Sequence, residues 1–128
     1  MPLRPWFLFR YGQLLMLLKR RARALEVFRS VARLDPTHHQ AWSCAAMLLA
    51  ERGEYAQAIE AFERVCVLTP ARAGPHFNVA FLLQRAGRHS EAIPRFERAL
   101  QADPGLERAR RGLEISQTHL EQGQPWKA

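Results

Sequence analysis

Apolar and small side chains recur along the chain at steps of three and four residues, which is the spacing of one helix face. In residues 39–72 this pattern occurs twice, on either side of a break at Gly53–Glu54. Its members are Trp42, Ala45, Ala46, Leu49, Ala58, Phe62 and Val65. The pattern predicts two amphipathic helices joined by a short turn, because glycine interrupts a helix.

The same pattern returns at a fixed interval. Pro36, Pro70 and Pro104 are spaced 34 residues apart, and each follows a predicted second helix. An alanine stands twelve residues before each proline and a phenylalanine eight residues before it, namely Ala24, Ala58, Ala92, Phe28, Phe62 and Phe96. Proline has no N–H and disfavours helical angles in the residue before it, so each one ends a helix. The chain is therefore predicted to be an array of helix pairs.

The order alanine, phenylalanine, proline resembles the tetratricopeptide repeat family, and Trp42 and Ala46 fall where the other half of that repeat motif begins. The resemblance covers nearly the whole chain. It implies an all-α fold, a right-handed α-solenoid forming a single domain of residues 1–128. Its parts are three helix–turn–helix repeats at 5–38, 39–72 and 73–106, a capping helix at 107–122 and a tail at 123–128.

Two positions depart from the regular repeat. The first repeat has Lys19 where the later ones have Gly53 and Gly87 between their helices. Pro94 falls inside a predicted helix, and we expect only a mild kink there, with Ser90 as the N-cap and the proline close behind the first turn.

The composition contains no sign of catalysis or of a cofactor. Two cysteines, Cys44 and Cys66, are too few for a disulfide framework and are predicted to be small apolar helix residues. His38 and His39 are adjacent and point to different sides, and the other histidines belong to different predicted helices. There is no glycine-rich phosphate loop and no nucleophile motif. We predict a non-enzyme without metal or cofactor.

The chain is basic, with 19 lysines and arginines against 12 acidic residues in 128 residues. The dense run is residues 19–23, and no aromatic residues alternate with it as they do in a stacking platform for bases. A solvated face is the favoured interpretation, and nucleic acid is not a favoured partner. Arginine and alanine richness with only two lysines suggests a bacterial source.

Residues 6–18 are apolar around the whole helix circumference. A signal peptide or membrane segment is the alternative interpretation. It is disfavoured because Arg10 and Gln13 interrupt the run and because about 13 residues are too few to cross a bilayer. We expect a repeat helix in a cytoplasmic protein. Its stripe of Phe7, Tyr11, Leu14 and Leu18 would face a preceding repeat, and we expect self-association as a weak homodimer there.

The family resemblance implies that the first helices of the repeats line a concave groove that binds a peptide or helix of another protein. The matching positions are Trp6, Phe9, Gln13, Met16, Leu17, Gln40, Ser43, Cys44, Met47, Phe77, Asn78, Phe81, Arg85, Arg108, Arg111 and Ile115. They suit a partner with apolar anchors and acidic flanks, although part of the set could instead belong to the core.

Some family members hold a partner's terminal carboxylate in a clamp of lysine, asparagine and arginine. Here Asn78 and Arg108 match, whereas Ser43, Met47 and Gly112 do not, so clamp binding is disfavoured. A protein-interaction module is the favoured function. The alternatives are a dedicated chaperone similar to the short tetratricopeptide chaperones of bacterial secretion, and an adaptor attached to a membrane surface through its N-terminal segment.

Overall fold

A computed structural model describes residues 4–123, and this part of the chain contains seven helices and no strand. The prediction of an all-α helical-repeat fold is confirmed. The helices are α1 (Pro5–Leu17), α2 (Arg21–Leu34), α3 (His39–Glu51), α4 (Tyr55–Leu68), α5 (Ala73–Arg85), α6 (His89–Ala102) and α7 (Glu107–Gln122). No helix in the described residues is long and apolar enough to cross a membrane.

The chain divides into two compact units, one ending at Leu68 and the other beginning at Thr69. In the first unit α1 packs on α2, α2 on α3, and α3 on α4. In the second unit α6 packs on both α5 and α7, and α5 also contacts α7. Short turns join the helices of each pair, so the pairs are antiparallel.

The turns inside the helix pairs share one backbone geometry. Gly53 and Gly87 have φ values of 78° and 79°, and Lys19 takes the same left-handed conformation with φ of 59°. The following residue bonds back to the first helix in each case, for example from the Glu54 N–H to the Leu49 carbonyl at 3.0 Å. Lys19 therefore adopts a conformation that suits glycine, at a cost of about 1 kcal/mol for an L-residue with a Cβ.

The core is built where small residues let helices approach closely. Ala24, Ala58 and Ala92 are completely buried. Gly12 of α1 lies so near Phe28 of α2 that a Cβ added to it would stand 2.6 Å from the ring. Gly112 of α7 has an even closer approach to the ring of Phe96. A buried aromatic ring of the second helix therefore fills the space opposite a residue without a side chain.

Each of the helices α3, α5 and α7 anchors the proline turn before it through one side chain. The Trp42 indole N–H donates to the carbonyl of Pro36 at 2.9 Å. The Arg110 guanidinium donates to the carbonyl of Pro104 at 3.0 Å. His76 Nε2 lies 3.1 Å from the equivalent carbonyl, that of Pro70, and must carry the proton because a carbonyl only accepts. Residues of three chemical types at a 34-residue interval thus make the same contact.

Pro94 lies inside α6 without ending it. The expectation that Ser90 caps this helix is wrong, because the N-cap is Arg88 and its carbonyl already accepts from the Ala92 N–H at 3.0 Å. Arg88 makes no capping bond with its side chain and instead pairs with Glu91, at 2.8 Å from Nη2 to Oε1. The proline removes one helical bond, to the Ser90 carbonyl, and Ser90 is exposed to water.

Candidate functional site

The second unit has a shallow cavity between α5 and α7, with a volume of about 230 Å³. We call it the α5–α7 surface. The residues that line it are Phe77, Phe81, Gln84, Phe96, Arg108, Arg111, Gly112 and Ile115. Five of these belong to the groove set predicted from the sequence, and the structure brings them together from helices about thirty residues apart. They are Phe77, Phe81, Arg108, Arg111 and Ile115.

The aromatic part of the α5–α7 surface rests on the core. Phe77 is only 8% exposed and contacts both Phe81, at 5.9 Å between ring centroids, and Phe96, at 6.0 Å. Phe81 and Ile115 are 41% and 49% exposed. Phe77 therefore forms the floor, and Phe81 and Ile115 supply the apolar area that a ligand could cover.

Guanidinium groups surround this apolar area. The Cζ of Arg108 lies 4.6 Å from the centroid of the Phe77 ring, and that of Arg85 lies 5.8 Å from the Phe81 ring. Such cation–π contacts hold arginine side chains in place without neutralising them. The cavity lining contains two arginines and no carboxylate, and no salt bridge within residues 4–123 involves Arg85, Arg108 or Arg111. The surface is therefore positively charged.

A buried polar network fixes α7 beside α5 and α6. Gln84 donates to the carbonyl of Gly112 at 2.8 Å and to the hydroxyl of Ser116 at 2.9 Å. Ser116 is fully buried, and its hydroxyl also lies 3.1 Å from Nδ1 of His89. The sequence did not indicate this network, because serine in an amphipathic helix normally suggests an exposed position. It determines where Arg108 and Arg111 stand relative to Phe81.

The structure also joins two histidines that the sequence places in separate helices. The rings of His89 and His119 stack with centroids 4.3 Å apart and an angle of 6° between their planes. Partial burial, and to a lesser degree the charge of His119, lower the pKa of His89 below its usual value. Parallel rings cannot direct their nitrogens at one ion, and residues 4–123 contain no group of three metal-ligating side chains.

The predicted groove positions of the first unit have varied surroundings. Trp6 is exposed and meets the Phe7 ring edge to face at 4.5 Å. Phe9 packs on Phe28 and on His38, with centroid distances of 5.7 and 4.7 Å, and so takes part in the packing of the repeats. Gln13 accepts a bond from Arg10 at 3.1 Å.

The first unit also has a cavity, which lies between α1 and α3 and has a volume of about 480 Å³. It is lined by Gln13, Met16, Leu17, Phe28 and Cys44. Burial raises the pKa of the Cys44 thiol, which therefore stays protonated at neutral pH. Of the remaining groove positions, Met47 is exposed and Asn78, in the second unit, is half-buried.

The α1 stripe, which is Phe7, Tyr11, Leu14 and Leu18, is uncovered in the described structure. All four side chains are at least 40% exposed. The Tyr11 hydroxyl accepts a long bond of 3.4 Å from Nε of Arg23, so the stripe borders the basic run of residues 19–23. On the other side of α1, Gly12 and Leu15 are buried and Leu8 is half-buried.

Repeated helix pairs that end at proline turns and pack a phenylalanine against a small residue define a tetratricopeptide-type helical repeat. A sequence profile described as tetratricopeptide repeat matches residues 9–75, which is just over half of the chain. This chain belongs to the tetratricopeptide repeat family. No curated protein matches it by sequence at a significant level.

Solved structures confirm the fold. A crystal structure of MamA is 21% identical, with a TM-score of 0.85 over 91% of this chain and 68% of MamA. YrrB, described as a tetratricopeptide protein with an unusual peptide-binding site, is 18% identical with a TM-score of 0.79 over 88% of this chain and 58% of its own. This chain therefore spans less than two thirds of the length of YrrB, and 61% of a second MamA structure.

A third structure is close to this chain in length. It is the type III secretion chaperone SycD of Yersinia enterocolitica in complex with a peptide of the translocator YopD. The identity is 18% and the TM-score 0.80, over 88% of this chain and 91% of SycD. At this level of identity these similarities establish the fold alone.

Proposed function

We propose that this chain is a protein-interaction module and that its α5–α7 surface binds an extended peptide or a helix of a partner protein. The observation that carries the proposal is the combination of an exposed aromatic ring with arginines that have no carboxylate partner. A non-catalytic role agrees with the family, whose members typically act as interaction modules.

The chemistry of the α5–α7 surface defines the partner. An apolar side chain would rest on Phe81 and Ile115, above the buried ring of Phe77. Acidic residues beside this anchor would pair with Arg108 and Arg111, and charge-assisted bonds from arginine to carboxylate are among the stronger polar contacts. A few aromatic and arginine residues commonly supply most of the binding energy of such an interface.

Related proteins support binding of this kind without identifying the partner. YrrB is described as having a peptide-binding site, and SycD was solved with a peptide of another protein. The residues of this chain argue against recognition of a chain terminus, because Ser43, Met47 and Gly112 stand at clamp positions. We therefore propose an internal acidic and apolar segment as the ligand.

A capture experiment tests the proposal. The immobilised chain should retain partner proteins from a lysate of its source cell, and a Phe81→Ala/Arg111→Glu variant should lose them while keeping its helical circular dichroism. Phe77 is unsuitable for this test because its burial means that truncation would also destabilise the unit. Arg52→Glu provides a matched charge reversal at an exposed arginine of the first unit. Equal capture by all variants would refute the α5–α7 surface as the binding site.

We propose further that the α1 stripe mediates weak self-association. Its four side chains would bury on the order of 400 Å² per chain, worth about 10 kcal/mol before the entropic cost of association. That cost removes much of the gain, so we expect dimers in the micromolar range. A twofold contact covers the same stripe on both chains and closes the assembly.

Sedimentation of the wild type across a hundredfold concentration range should show this dimer, and Leu14→Glu/Leu18→Glu should abolish it. A wild type that remains monomeric and soluble throughout would contradict self-association. A dedicated chaperone, the alternative function, would instead be marked by co-purification with one client protein that aggregates without it.

A further inference from the structure

The first unit has a cavity of about 450 Å³ between α2 and α4 that contains none of the site residues predicted from the sequence. We call it the α2–α4 cavity. Its apolar surface comes from Ala32, Trp42, Ala45, Leu49 and Ala61. This volume lies within the range of about 300 to 1,000 Å³ that is usual for ligand pockets, and such pockets are mostly apolar with a few polar groups at defined positions.

The rim of the α2–α4 cavity is basic. Arg29 and Arg33 reach it from α2, and Glu60 and Arg64 reach it from α4. Three arginines against one glutamate leave two positive charges in excess. No salt bridge within residues 4–123 involves any of the three arginines. Two of them make neutral hydrogen bonds instead, Arg29 to Gln57 at 2.8 Å and Arg33 to Ser30 at 3.1 Å.

The repeat itself does not require this arginine cluster. At the positions 34 residues later, Arg29 and Arg33 correspond to Glu63 and Val67, and only Arg64 corresponds to another arginine, Arg98. Arg29 and Arg33 are therefore specific to this part of the chain and are not required by the helix packing that every repeat shares.

Trp42 gives the cavity a fixed apolar wall. Its indole N–H is already bonded to the Pro36 carbonyl at 2.9 Å, so the ring is held in place and has no further donor to offer. The charged groups at the rim are thus three guanidinium groups, which donate hydrogen bonds, and one carboxylate, that of Glu60, which accepts them. A ligand with an apolar body and carboxylates around it matches this arrangement, and a cationic ligand does not.

We propose that the α2–α4 cavity is a second protein-binding site, which takes a short peptide segment with apolar side chains flanked by acidic residues. The apolar side chains rest on Ala45, Leu49 and the Trp42 ring, and the carboxylates pair with Arg33 and Arg64. This site lies on α2, α3 and α4, so it is separate from the α5–α7 surface and extends the interaction function to another part of the chain.

Nuclear magnetic resonance with two synthetic peptides tests the proposal. The probe is the acetylated and amidated hexapeptide EELLEE, and the matched control is KKLLKK. The readout is the indole N–H signal of Trp42, assigned by its disappearance in Trp42→Phe. We expect a saturable shift with EELLEE that weakens as salt is raised, and no shift with KKLLKK.

Two variants separate this site from the α5–α7 surface. Arg33→Glu/Arg64→Glu should weaken the EELLEE response of Trp42 about tenfold or more, since each lost charge-assisted contact is worth about one decade. Arg111→Glu should leave that response unchanged even if it abolishes partner capture. The two changed arginines are exposed, so the fold should persist, and circular dichroism checks this.

Three results would overturn the proposal. They are the absence of a saturable Trp42 shift at millimolar peptide, an equal shift with KKLLKK, and an undiminished response in a folded Arg33→Glu/Arg64→Glu variant. None of them bears on the α5–α7 surface, which is tested by the capture experiment with Arg111.

Discussion

Gly112→Ala is the sharpest test of how α7 is attached to the second unit. The added Cβ would overlap the Cε1 and Cζ atoms of the Phe96 ring, and that ring is completely buried. Overfilling a packed core costs about 1 to 3 kcal/mol. Replacing glycine by alanine inside a helix raises the free energy of unfolding by about 1 kcal/mol. Because the overlap involves several ring atoms, we expect a net loss of about 1 to 2 kcal/mol.

The control is Gly74→Ala, which introduces the same chemical change in α5. A Cβ at Gly74 would meet nothing within 4 Å, so this variant should be neutral or slightly stabilised, by up to about 0.5 kcal/mol. The difference between the two alanine variants therefore isolates the steric cost at Phe96. Urea unfolding followed by circular dichroism measures both, with wild type and variants under identical conditions.

Phe96→Leu completes a double-mutant cycle. The smaller side chain leaves room for the new methyl group, so Gly112→Ala should cost at least about 1 kcal/mol less in that background. If Gly112→Ala stabilises the protein as Gly74→Ala does, and no coupling to Phe96 appears, the close approach of α6 and α7 described above is refuted.

Three further predictions follow from the turns, the core and the histidine pair. Lys19→Gly should raise the free energy of unfolding by about 0.5 to 1 kcal/mol, because glycine adopts a positive φ without strain, whereas Lys19→Ala should not raise it. Equal urea midpoints for the two variants would contradict this. Ala58→Leu and Ala92→Leu should each cost about 1 to 3 kcal/mol, and unchanged midpoints would disprove the close helix contacts. The pKa of His89 is lowered in the folded state, so the unfolded chain binds more protons and stability should fall as pH drops below about 6.5, the ordinary value. His89→Gln should flatten this dependence of stability on pH. If this variant has the same stability profile against pH as the wild type, His89 is not the source of the dependence. His119→Ala should remove the smaller, electrostatic part of the effect.

The repeat and its helices followed from the sequence because their signals are local. Apolar spacing, a glycine inside each later pair and a proline after it determine where helices begin and end, and α7 occupies residues 107–122. The sequence also indicated that Phe7, Tyr11, Leu14 and Leu18 share a face, since that depends only on helical geometry. The sequence does not identify the N-cap of α6 correctly. It favours Ser90, whereas the turn geometry places the N-cap two residues earlier, at Arg88.

Tertiary structure decided what the surfaces can do. The fold brings together side chains that lie about thirty residues apart in sequence. Ser116 contacts Gln84 and His89 in this way, and the ring of His119 stacks on that of His89. In sequence Arg29, Arg33 and Arg64 resemble an ordinary solvated face, and only the packing of α2, α3 and α4 reveals a cavity beneath them. Hydrophobic periodicity tells which side of a helix is buried. It does not tell which polar residues of different helices face each other, because that depends on how closely the helices approach, and here small residues such as Gly112 set that distance.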